Sequence, residues 1–388
     1  MTERDALDKA RPRVVFVTDI MTPYMVAVFE ALARLVRLHV VFCSASGERG
    51  GPWDIATPAF SHSVVGGAAI RRGPDLITYY LSPRIGLAVA RARPDAVIAA
   101  GFSFPTLYAA GYAVPARTPL VIHSDGTYFH ERSLSPLQRA ARAVLLRMAA
   151  ACVANSLPAA ERFRQLGVRG DRLFLAPHST DIRRFQAVAP ERRRNGSGIR
   201  VLTVTRLLPR KGVDRLLRAF ALAARDEPAI ELRVVGNGPE EGALRRLARE
   251  LGIEERVEFT GFIDQDKLPA TYRDADIFAF PTLDDPFGFV VLEAAAAGLP
   301  MVASPWAGAA EDILTDGVNG LIRDPNDARA TAAALVELAR DPELRERLGR
   351  AAHESTLGRT PDAAARGFAA AVDNAITMPG RARPLARS

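Results

Sequence analysis

The segment Pro281–Ser304, PTLDDPFGFVVLEAAAAGLPMVAS, decides the fold class. The apolar run Ile277–Phe280 predicts a strand that ends just before it. Asp285–Gly288 predict a turn, because Asp, Pro and Gly favour turns. A nearly uncharged helix is predicted to begin at Phe289, and the run Pro300–Ala303 predicts a second buried strand. Two buried strands joined by a helix are typical of a parallel sheet whose faces are covered by helices.

The same alternation of strands and helices continues in both directions along the chain. It predicts an α/β protein built from two doubly wound, Rossmann-like parallel-sheet domains. The other predicted strands are Arg13–Thr18, Leu38–Cys43, Ala96–Ala100, Leu120–His123, Cys152–Asn155, Leu173–Ala176, Arg200–Thr205, Glu231–Val235, Val257–Thr260 and Gly320–Ile322. Ligands of such sheets bind at the carboxyl ends of the strands, so we expect a site in a cleft between the two domains.

One segment without periodicity divides the chain. Residues 187–198, AVAPERRRNGSG, are charged and rich in Pro, Gly and Ser, which is typical of a linker. We therefore expect a first domain at residues 1–186 and a second at residues 199–360. A last helix, residues 361–377, is predicted after a Gly, Thr and Pro break.

Composition excludes several classes of protein. Of the 388 residues, 48% are hydrophobic and 24% charged, as in a packed globular protein of two domains. The two cysteines, Cys43 and Cys152, fall in predicted strands and provide neither a disulfide framework nor a cysteine metal site. The histidines lack metal-ligand spacing, so we expect no metal and no cofactor. Residues 1–12 lack the apolar core of a secretory signal, which favours a cytoplasmic location.

The net charge of +7 is unevenly distributed and comes from arginine. Only three residues are lysines, against 48 arginines, a skew typical of a high-GC genome. Residues 1–186 carry a net charge of +9 and the remainder −2. There is no lysine-rich run and no interleaving of aromatic with basic residues, so we expect no nucleic-acid partner. An anionic partner or membrane surface is conceivable only in the first half.

Acidic residues flank the turn in the opening segment. Asp285 lies in the turn and Glu293 eight positions later in the helix, so both side chains can accept hydrogen bonds from sugar hydroxyls of one ligand. Between them, Phe287, Gly288 and Phe289 lead into the helix, whose unpaired backbone N–H groups can bind an anion. An ordinary turn with a solvated Asp-Asp pair is the alternative.

A second motif supplies positive charge at the end of the strand Arg200–Thr205. Within VTRLLPRKG, residues 204–212, Arg206 and Lys211 can bind a diphosphate and stabilise it as a leaving group. A solvated basic loop is the alternative, and it suits Arg210 better than Lys211, because this chain almost never uses lysine.

Two glycine-containing turns follow the next strands. In VVGNGPEE, Gly236 and Gly238 allow a close approach of backbone to ligand, but Glu241 stands where a dinucleotide fingerprint needs its third glycine. A tight turn without ligand contact is equally compatible with these residues. In FTGFI, Gly261 and Phe262 end the following strand.

In the first half, LVIHSDG places His123 and Asp125 at the end of a strand. The histidine can donate to a sugar hydroxyl or phosphate, and the aspartate can bind an acceptor hydroxyl. A structural role for the histidine is the alternative. Ser124 does not complete a catalytic triad with them, since neighbours on a strand point to opposite faces.

These motifs together resemble retaining glycosyltransferases of family 4, which have the GT-B fold. That family carries two Glu separated by seven residues around a Phe-Gly pair; Glu293 matches the second, and Asp285 replaces the first. The Arg and Lys of the loop at residues 204–212 also match. The resemblance covers nearly the whole chain, is specific over residues 200–325 and is weak over residues 44–118.

The resemblance implies a fold and a set of roles. Two Rossmann-like domains face each other across a cleft, and the helix at residues 361–377 crosses back to the first domain. Arg206 and Lys211 hold the diphosphate, and Glu293 holds the ribose. Asp285 and the backbone around Gly288 hold the donor sugar, as does the histidine at position 123. The nucleotide lies near the turn at residues 234–241, with its base against the backbone of residues 259–263.

The implied reaction moves a sugar from a nucleotide-diphosphate sugar, with UDP and GDP as the favoured nucleotides, to a hydroxyl acceptor without a metal. The acceptor is a glycan, a glycolipid or a natural product, and no residue is assigned as a nucleophile. A sugar-nucleotide epimerase or phosphorylase of the same fold and a non-catalytic nucleotide-sugar binding protein are alternatives. A nicotinamide oxidoreductase is disfavoured by the failed glycine fingerprint.

An anionic membrane is a further candidate partner of the first domain. Arg132, Arg139, Arg142 and Arg147 lie on or before the predicted helix Leu137–Ala150, where lipid phosphates could bind. A solvated helix face in an arginine-rich chain is the alternative. Contact with the inner face of the membrane would then accompany the cytoplasmic location.

Overall fold

The computed structural model describes residues 11–44, 58–72, 77–131, 134–189 and 198–377. Its strands are β1 Arg13–Ile20, β2 Arg37–Ser44, β3 Ser61–Val64, β4 Ala68–Arg72, β5 Ile77–Leu81, β6 Ala96–Ala100, β7 Leu120–Ser124, β8 Ala151–Ala154, β9 Leu173–Leu175, β10 Ile199–Val204, β11 Ile230–Val235, β12 Val257–Gly261, β13 Ile277–Phe280, β14 Met301–Ala303 and β15 Leu321–Ile322.

The helices lie between these strands in alternation. They are α1 Pro23–Ala33, α2 Arg84–Ala92, α3 Phe104–Ala113, α4 Tyr128–Glu131, α5 Pro136–Met148, α6 Leu157–Gln165, α7 Arg183–Gln186, α8 Val213–Asp226, α9 Glu241–Glu250, α10 Leu268–Arg273, α11 Phe289–Ala296, α12 Gly308–Ile313, α13 Ala328–Arg340, α14 Pro342–Ser355 and α15 Pro361–Thr377. None of those described is long and apolar enough to cross a bilayer.

The chain divides into two compact units. The first contains Met1–Thr180 and Arg359–Ser388, and the second contains Asp181–Gly358. The helix α7 therefore belongs to the second unit, although the sequence placed residues 181–186 in the first domain. Most of the expected linker, residues 190–197, lies outside the described residues.

The first unit is built on a seven-stranded parallel sheet of order β3-β2-β1-β6-β7-β8-β9. The inner strand β1 alternates between two cores. Val14 and Phe16 pack on the α1 side, and Val15 and Val17 pack on the α2 and α3 side. Because both faces are covered, the inner strands are largely apolar, as the sequence predicts.

The second unit is a six-stranded parallel sheet of order β12-β11-β10-β13-β14-β15. The chain reverses direction across the sheet between β10 and β13, which are neighbours. In an open α/β sheet the crevice outside such a pair of strands is the usual place for a ligand. The prediction of two doubly wound parallel-sheet domains is thus confirmed for both units.

The helix α15 packs entirely within the first unit. It contacts α1, β8 and β9. Phe368 is fully buried, with its ring centroid 5.4 Å from that of Phe16 and 5.1 Å from that of His123. A side chain on Gly367 would collide with the carbonyl oxygen of Leu175, so glycine permits the close approach of this helix to β9.

Three strands were not predicted from the sequence. The edge strand β3 is polar and largely exposed, and β4 and β5 form a separate antiparallel hairpin. None of them shows the continuous apolar run of a buried parallel strand, which is the signal that located the others.

We predict that Phe368→Ala destabilises the first unit by about 3–5 kcal/mol, because it leaves a cavity among buried rings. Urea denaturation measures the effect, and limited proteolysis locates it. Phe104→Ala, at a residue that is 43% exposed on α3, is the matched control and should change little. Equal stability of the two variants would contradict the role assigned to α15.

Candidate active site

The loop after β10 presents a lysine from a buried position. Pro209–Lys211 form one turn of 3-10 helix, and Gly212 follows in the left-handed conformation with φ of 65° before α8 begins. A side chain at Gly212 would collide with the carbonyl oxygen of Pro281, so the glycine lets this loop approach the loop after β13. Lys211 is only 7% exposed.

Backbone hydrogen bonds fasten these two loops together. The Leu283 amide donates to the carbonyl of Arg210 at 2.7 Å, and the Thr282 hydroxyl donates to the same oxygen at 3.2 Å. The Arg210 guanidinium donates in return to the carbonyl of Asp284 at 3.0 Å. The positions of Lys211 and Asp285 are therefore fixed by the backbone rather than by their own flexible side chains.

Lys211 and Asp285 form a buried ion pair. The Lys211 Nζ donates to Asp285 Oδ2 and lies 5.9 Å from the centroid of the Phe280 ring. Burial lowers the pKa of Lys211, and the Asp285 carboxylate opposes that shift. An ammonium in so dry a place interacts strongly with any further anion that reaches it.

Asp285 is also part of its own turn. Its Oδ1 accepts a hydrogen bond from the Phe287 amide at 3.1 Å, and its backbone amide donates to the carbonyl of Trp306 at 3.3 Å. One carboxylate oxygen thus stabilises the turn and the other binds Lys211. A Glu, as in the family motif, has one more methylene between the backbone and these oxygens.

The start of α11 adds backbone donors beside this pair. Gly288 caps the helix with φ of 87°, and a side chain there would press on the ring of Phe280. Phe287 is buried, and its ring packs edge-on against Phe289 with centroids 5.1 Å apart. The two rings hold the helix start in place, and its first N–H groups have no partners within the helix.

Glu293 is buried within the second unit. It is 3% exposed, and its Oε2 accepts a hydrogen bond of 2.9 Å from the hydroxyl of Tyr272. Burial raises the pKa of Glu293 to about 7, against the opposing effects of Tyr272 and then Arg184. The carboxyl group therefore changes its charge near neutral pH.

The glycines after β11 serve loop packing. A side chain on Gly236 would collide with the carbonyl of Thr205, and one on Gly238 with that of Leu207. The Leu207 amide also donates to the carbonyl of Asn237 at 2.9 Å. The room left by the two glycines is thus filled by the loop that carries Arg206, which is partly buried. This supports the tight-turn alternative for these residues.

The end of β12 is more open. Gly261 has φ of 73° with no atom within 4 Å of where a side chain would begin, and its carbonyl accepts the amide of Gly236 at 2.8 Å. Phe262 is 45% exposed. Backbone and an aromatic ring are therefore accessible here, as the stacking of a base requires.

His123 and Asp125 lie together in the first unit. The His123 ring packs against Phe16 and Phe368, and its two nitrogens are buried without hydrogen-bond partners among the described residues. Burial lowers the pKa of His123, and Asp125 opposes the shift. The neutral ring can donate to, or accept from, a ligand that reaches it.

Two residues near these positions were missed from the sequence. The sequence pattern gives Tyr272 no role, but its side chain is fully buried and donates to Glu293. His178 is buried near both His123 and Asp125, and burial lowers its pKa to about 3. Its signal in the sequence is a histidine that follows the predicted strand Leu173–Ala176.

Two family models match the chain, and they cover most of its length. Residues 186–355 match "Glycosyl transferases group 1", and residues 21–178 match "Glycosyl transferase 4-like domain". Over both stretches the chain is similar to glycosyl transferases. The resemblance inferred from the motifs is thus confirmed.

Curated relatives match the chain over part of their length. A GDP-mannose-dependent α-(1-6)-phosphatidylinositol monomannoside mannosyltransferase from Mycolicibacterium smegmatis is 40% identical over 186 residues, 45% of this chain and 48% of that protein. A D-inositol 3-phosphate glycosyltransferase from Corynebacterium glutamicum is 37% identical over 177 residues, 43% and 42% of the two chains. The chain spans about half the length of the curated relatives it matches.

Solved structures of low identity share the fold along nearly the whole chain. Anabaena HepE in complex with UDP and glucose has a TM-score of 0.73 at 21% identity, covering 93% of this chain and 99% of that one. Sucrose-phosphate synthase from Thermosynechococcus elongatus has a TM-score of 0.70 at 19% identity, covering 92% and 97%. These likenesses confirm the fold class.

We predict that the stability of the protein depends on pH through Glu293. Because the carboxyl titrates near 7 when folded and near its ordinary 4.5 when unfolded, the folded state holds an extra proton between these values. The free energy of unfolding therefore falls as pH rises through this window, by on the order of 3 kcal/mol. Glu293→Gln should remove this slope in urea titrations from about pH 4 to about pH 8. A variant that keeps the full slope would show that another group causes it.

Proposed function

We propose that the protein is a retaining glycosyltransferase that moves a sugar from a nucleotide-diphosphate sugar to a hydroxyl acceptor. The observation that carries the proposal is the buried Lys211 ammonium, which the backbone holds beside the start of α11 at the carboxyl ends of β10 and β13. An anion at this position meets a fixed positive charge and a helix N-terminus together. A diphosphate leaving group has the matching charge.

The chemistry follows from the charge that develops when the glycosidic bond to phosphate breaks. Negative charge accumulates on the departing diphosphate, and Lys211 and Arg206 would stabilise it in a site where water is largely excluded. The departing phosphate oxygen would take the proton of the acceptor hydroxyl on the same face of the sugar. That path retains the anomeric configuration, and its charge stabilisation comes from side chains rather than from a metal.

Each of the remaining candidate residues would bind a different part of the substrates. Glu293 would accept hydrogen bonds from the ribose, and the base would stack beside Phe262 and the open backbone at Gly261. Within the first unit, His123 would hydrogen-bond to a sugar hydroxyl or phosphate, and Asp125 to an acceptor hydroxyl. The Asp285 carboxylate would reach the sugar only after exchanging its bond to Lys211 for one to the ligand.

The names of the matched proteins narrow the substrates. The mycobacterial relative is described as GDP-mannose-dependent and as acting on a phosphatidylinositol monomannoside, and HepE was solved with UDP and glucose. We therefore propose a UDP- or GDP-sugar as donor and a glycan or glycolipid hydroxyl as acceptor.

The helix α5 supports contact of the first unit with an anionic bilayer. Leu137 is 80% exposed, Val144 and Met148 are also exposed, and the helix contains Arg but no acidic residue. Arg142 is excluded from this role, since it pairs with the buried Glu131 and lies over the Phe102 ring at 4.7 Å. Exposed Arg139 and Arg147 remain, whereas Arg132 lies outside the described residues.

We predict that Lys211→Ala and Arg206→Ala each lower kcat/KM by about 100-fold to 1000-fold, as expected when one donor to a developing anion is removed. Product formation from UDP- and GDP-sugars is followed by mass spectrometry, and thermal unfolding verifies that both variants are folded. Lys267→Ala, at an exposed lysine of the same unit, is the matched control. Full activity of both variants would contradict the role of Lys211 and Arg206 at the diphosphate. Donor binding without transfer by the unaltered protein would favour the non-catalytic alternative.

We predict that the protein floats with vesicles containing anionic phosphatidylglycerol and not with neutral phosphatidylcholine vesicles. Arg139→Glu combined with Arg147→Glu should abolish flotation, because each basic residue contributes about 1 kcal/mol at such a surface. Leu137→Ser should weaken it through the lost apolar contact, whereas Leu87→Ser on the exposed face of α2 should not. Equal flotation of the protein with both kinds of vesicle would contradict the proposed contact with an anionic membrane.

A further inference from the structure

The hydrogen bond between Tyr272 and Glu293 has a function beyond packing. We propose that Tyr272 is a positioning residue, whose hydroxyl holds the Glu293 carboxylate in the orientation and charge state that bind the ribose of the donor. The inference rests on the proposed function, in which Glu293 accepts hydrogen bonds from that ribose.

The geometry leaves the tyrosine hydroxyl little freedom. The Tyr272 ring is fully buried, 5.4 Å edge-on from Phe185 of α7 and 5.7 Å from Phe278 of β13. Its hydroxyl donates to Glu293 Oε2 at 2.9 Å, and the carbonyl of Val290 is a second, longer acceptor at 3.5 Å. A carboxylate has about four acceptor positions, so this single bond orients the group and leaves acceptor positions for a ligand.

The charge states of Tyr272 and Glu293 support the same positioning role. Tyr272 has a pKa well above its ordinary value, through burial and then the nearby Glu293, so near neutral pH it stays protonated and can donate to the carboxylate. A hydroxyl that donates to a carboxylate stabilises the ionised form. Without that bond, only Arg184 would oppose the effect of burial on Glu293, and the carboxyl would take up a proton at a higher pH.

Other groups around α11 do not replace this bond. From α7, Arg184 lowers the pKa of Glu293, but its guanidinium is hydrogen-bonded to Asp266 and to the carbonyl of Gln265. From α14, the Nδ1 of His353 lies 2.7 Å from the carbonyl of Ala296, at the far end of α11. From α12, the acidic side chains Glu311 and Asp312 are not among the groups that shift the Glu293 pKa.

The affinity of the site for the donor should therefore depend on whether Glu293 is protonated. A ribose offers hydroxyl donors, and an ionised carboxylate can accept two of them, whereas a protonated carboxyl has given up part of its acceptor capacity. Donor affinity should therefore fall below neutral pH. Removal of the tyrosine hydroxyl should shift that fall to higher pH, with little effect on steps after binding.

The test compares Tyr272→Phe with the unaltered protein by calorimetric binding of UDP and GDP between about pH 6 and about pH 9. Phenylalanine keeps the ring contacts and removes only the hydroxyl. We expect binding about fivefold weaker at pH 7, recovering to within about twofold at pH 9, since a rise of one unit from a pKa of about 7 lowers the ionised fraction of Glu293 at pH 7 from about one half to about one tenth. In transfer assays KM for the donor should rise while kcat changes little.

Two further variants separate the possible outcomes. In a Glu293→Gln background, Tyr272→Phe should add no pH dependence, because the amide does not titrate. Tyr108→Phe, at a partly buried tyrosine of the first unit, is the matched control and should leave binding unchanged. A loss in Tyr272→Phe that is equal at all pH values would mean a structural role and overturn the inference. If the unaltered protein binds neither nucleotide, the proposed function fails instead, and this inference fails with it.

Discussion

A buried lysine ammonium constrains the whole candidate site. Removing Lys211 from water is costly unless a negative partner is close, and Asp285 provides that partner. Asp285 lies on a different loop from Lys211, so the ion pair forms only while the two loops keep their relative positions. The backbone bonds between Arg210 and residues 282–284 maintain that register. A diphosphate placed here would exchange one carboxylate for two phosphates around the same ammonium, which makes the pair a preorganised site rather than a surface salt bridge.

Glycines at three loops make this arrangement possible. Gly212, Gly236 and Gly308 each leave space that a neighbouring carbonyl occupies, from Pro281, Thr205 and Pro286 respectively. The loops after β10, β11, β13 and β14 are thereby packed backbone against backbone. Their polar groups hydrogen-bond to one another, so the surroundings of Lys211 are rigid. The glycines of these loops thus contribute mainly by letting protein approach protein.

Much of this architecture could be predicted from the sequence, because a buried parallel strand is a continuous run of apolar residues. The strand before Pro281 and the helix from Phe289 were placed within a residue or two. Three things could not be predicted. The polar strand β3 has no apolar run, and Arg142 carries no mark of its tertiary partner Glu131. Tyr272 follows a periodicity that fits a surface helix, and only the packing of α7 and α11 shows that its hydroxyl ends beside Glu293.

The return of α15 to the first unit has a consequence for biosynthesis. A ribosome delivers residues 11–180 long before Phe368, so the nascent first unit lacks the ring that closes its core against Phe16. Hydrophobic surface on β8 and β9 stays uncovered while the second unit, contiguous in sequence, is completed. The unit translated second can therefore finish folding before the unit translated first. A premature stop before residue 361 would leave the first unit with an open core, although every one of its strands had been made.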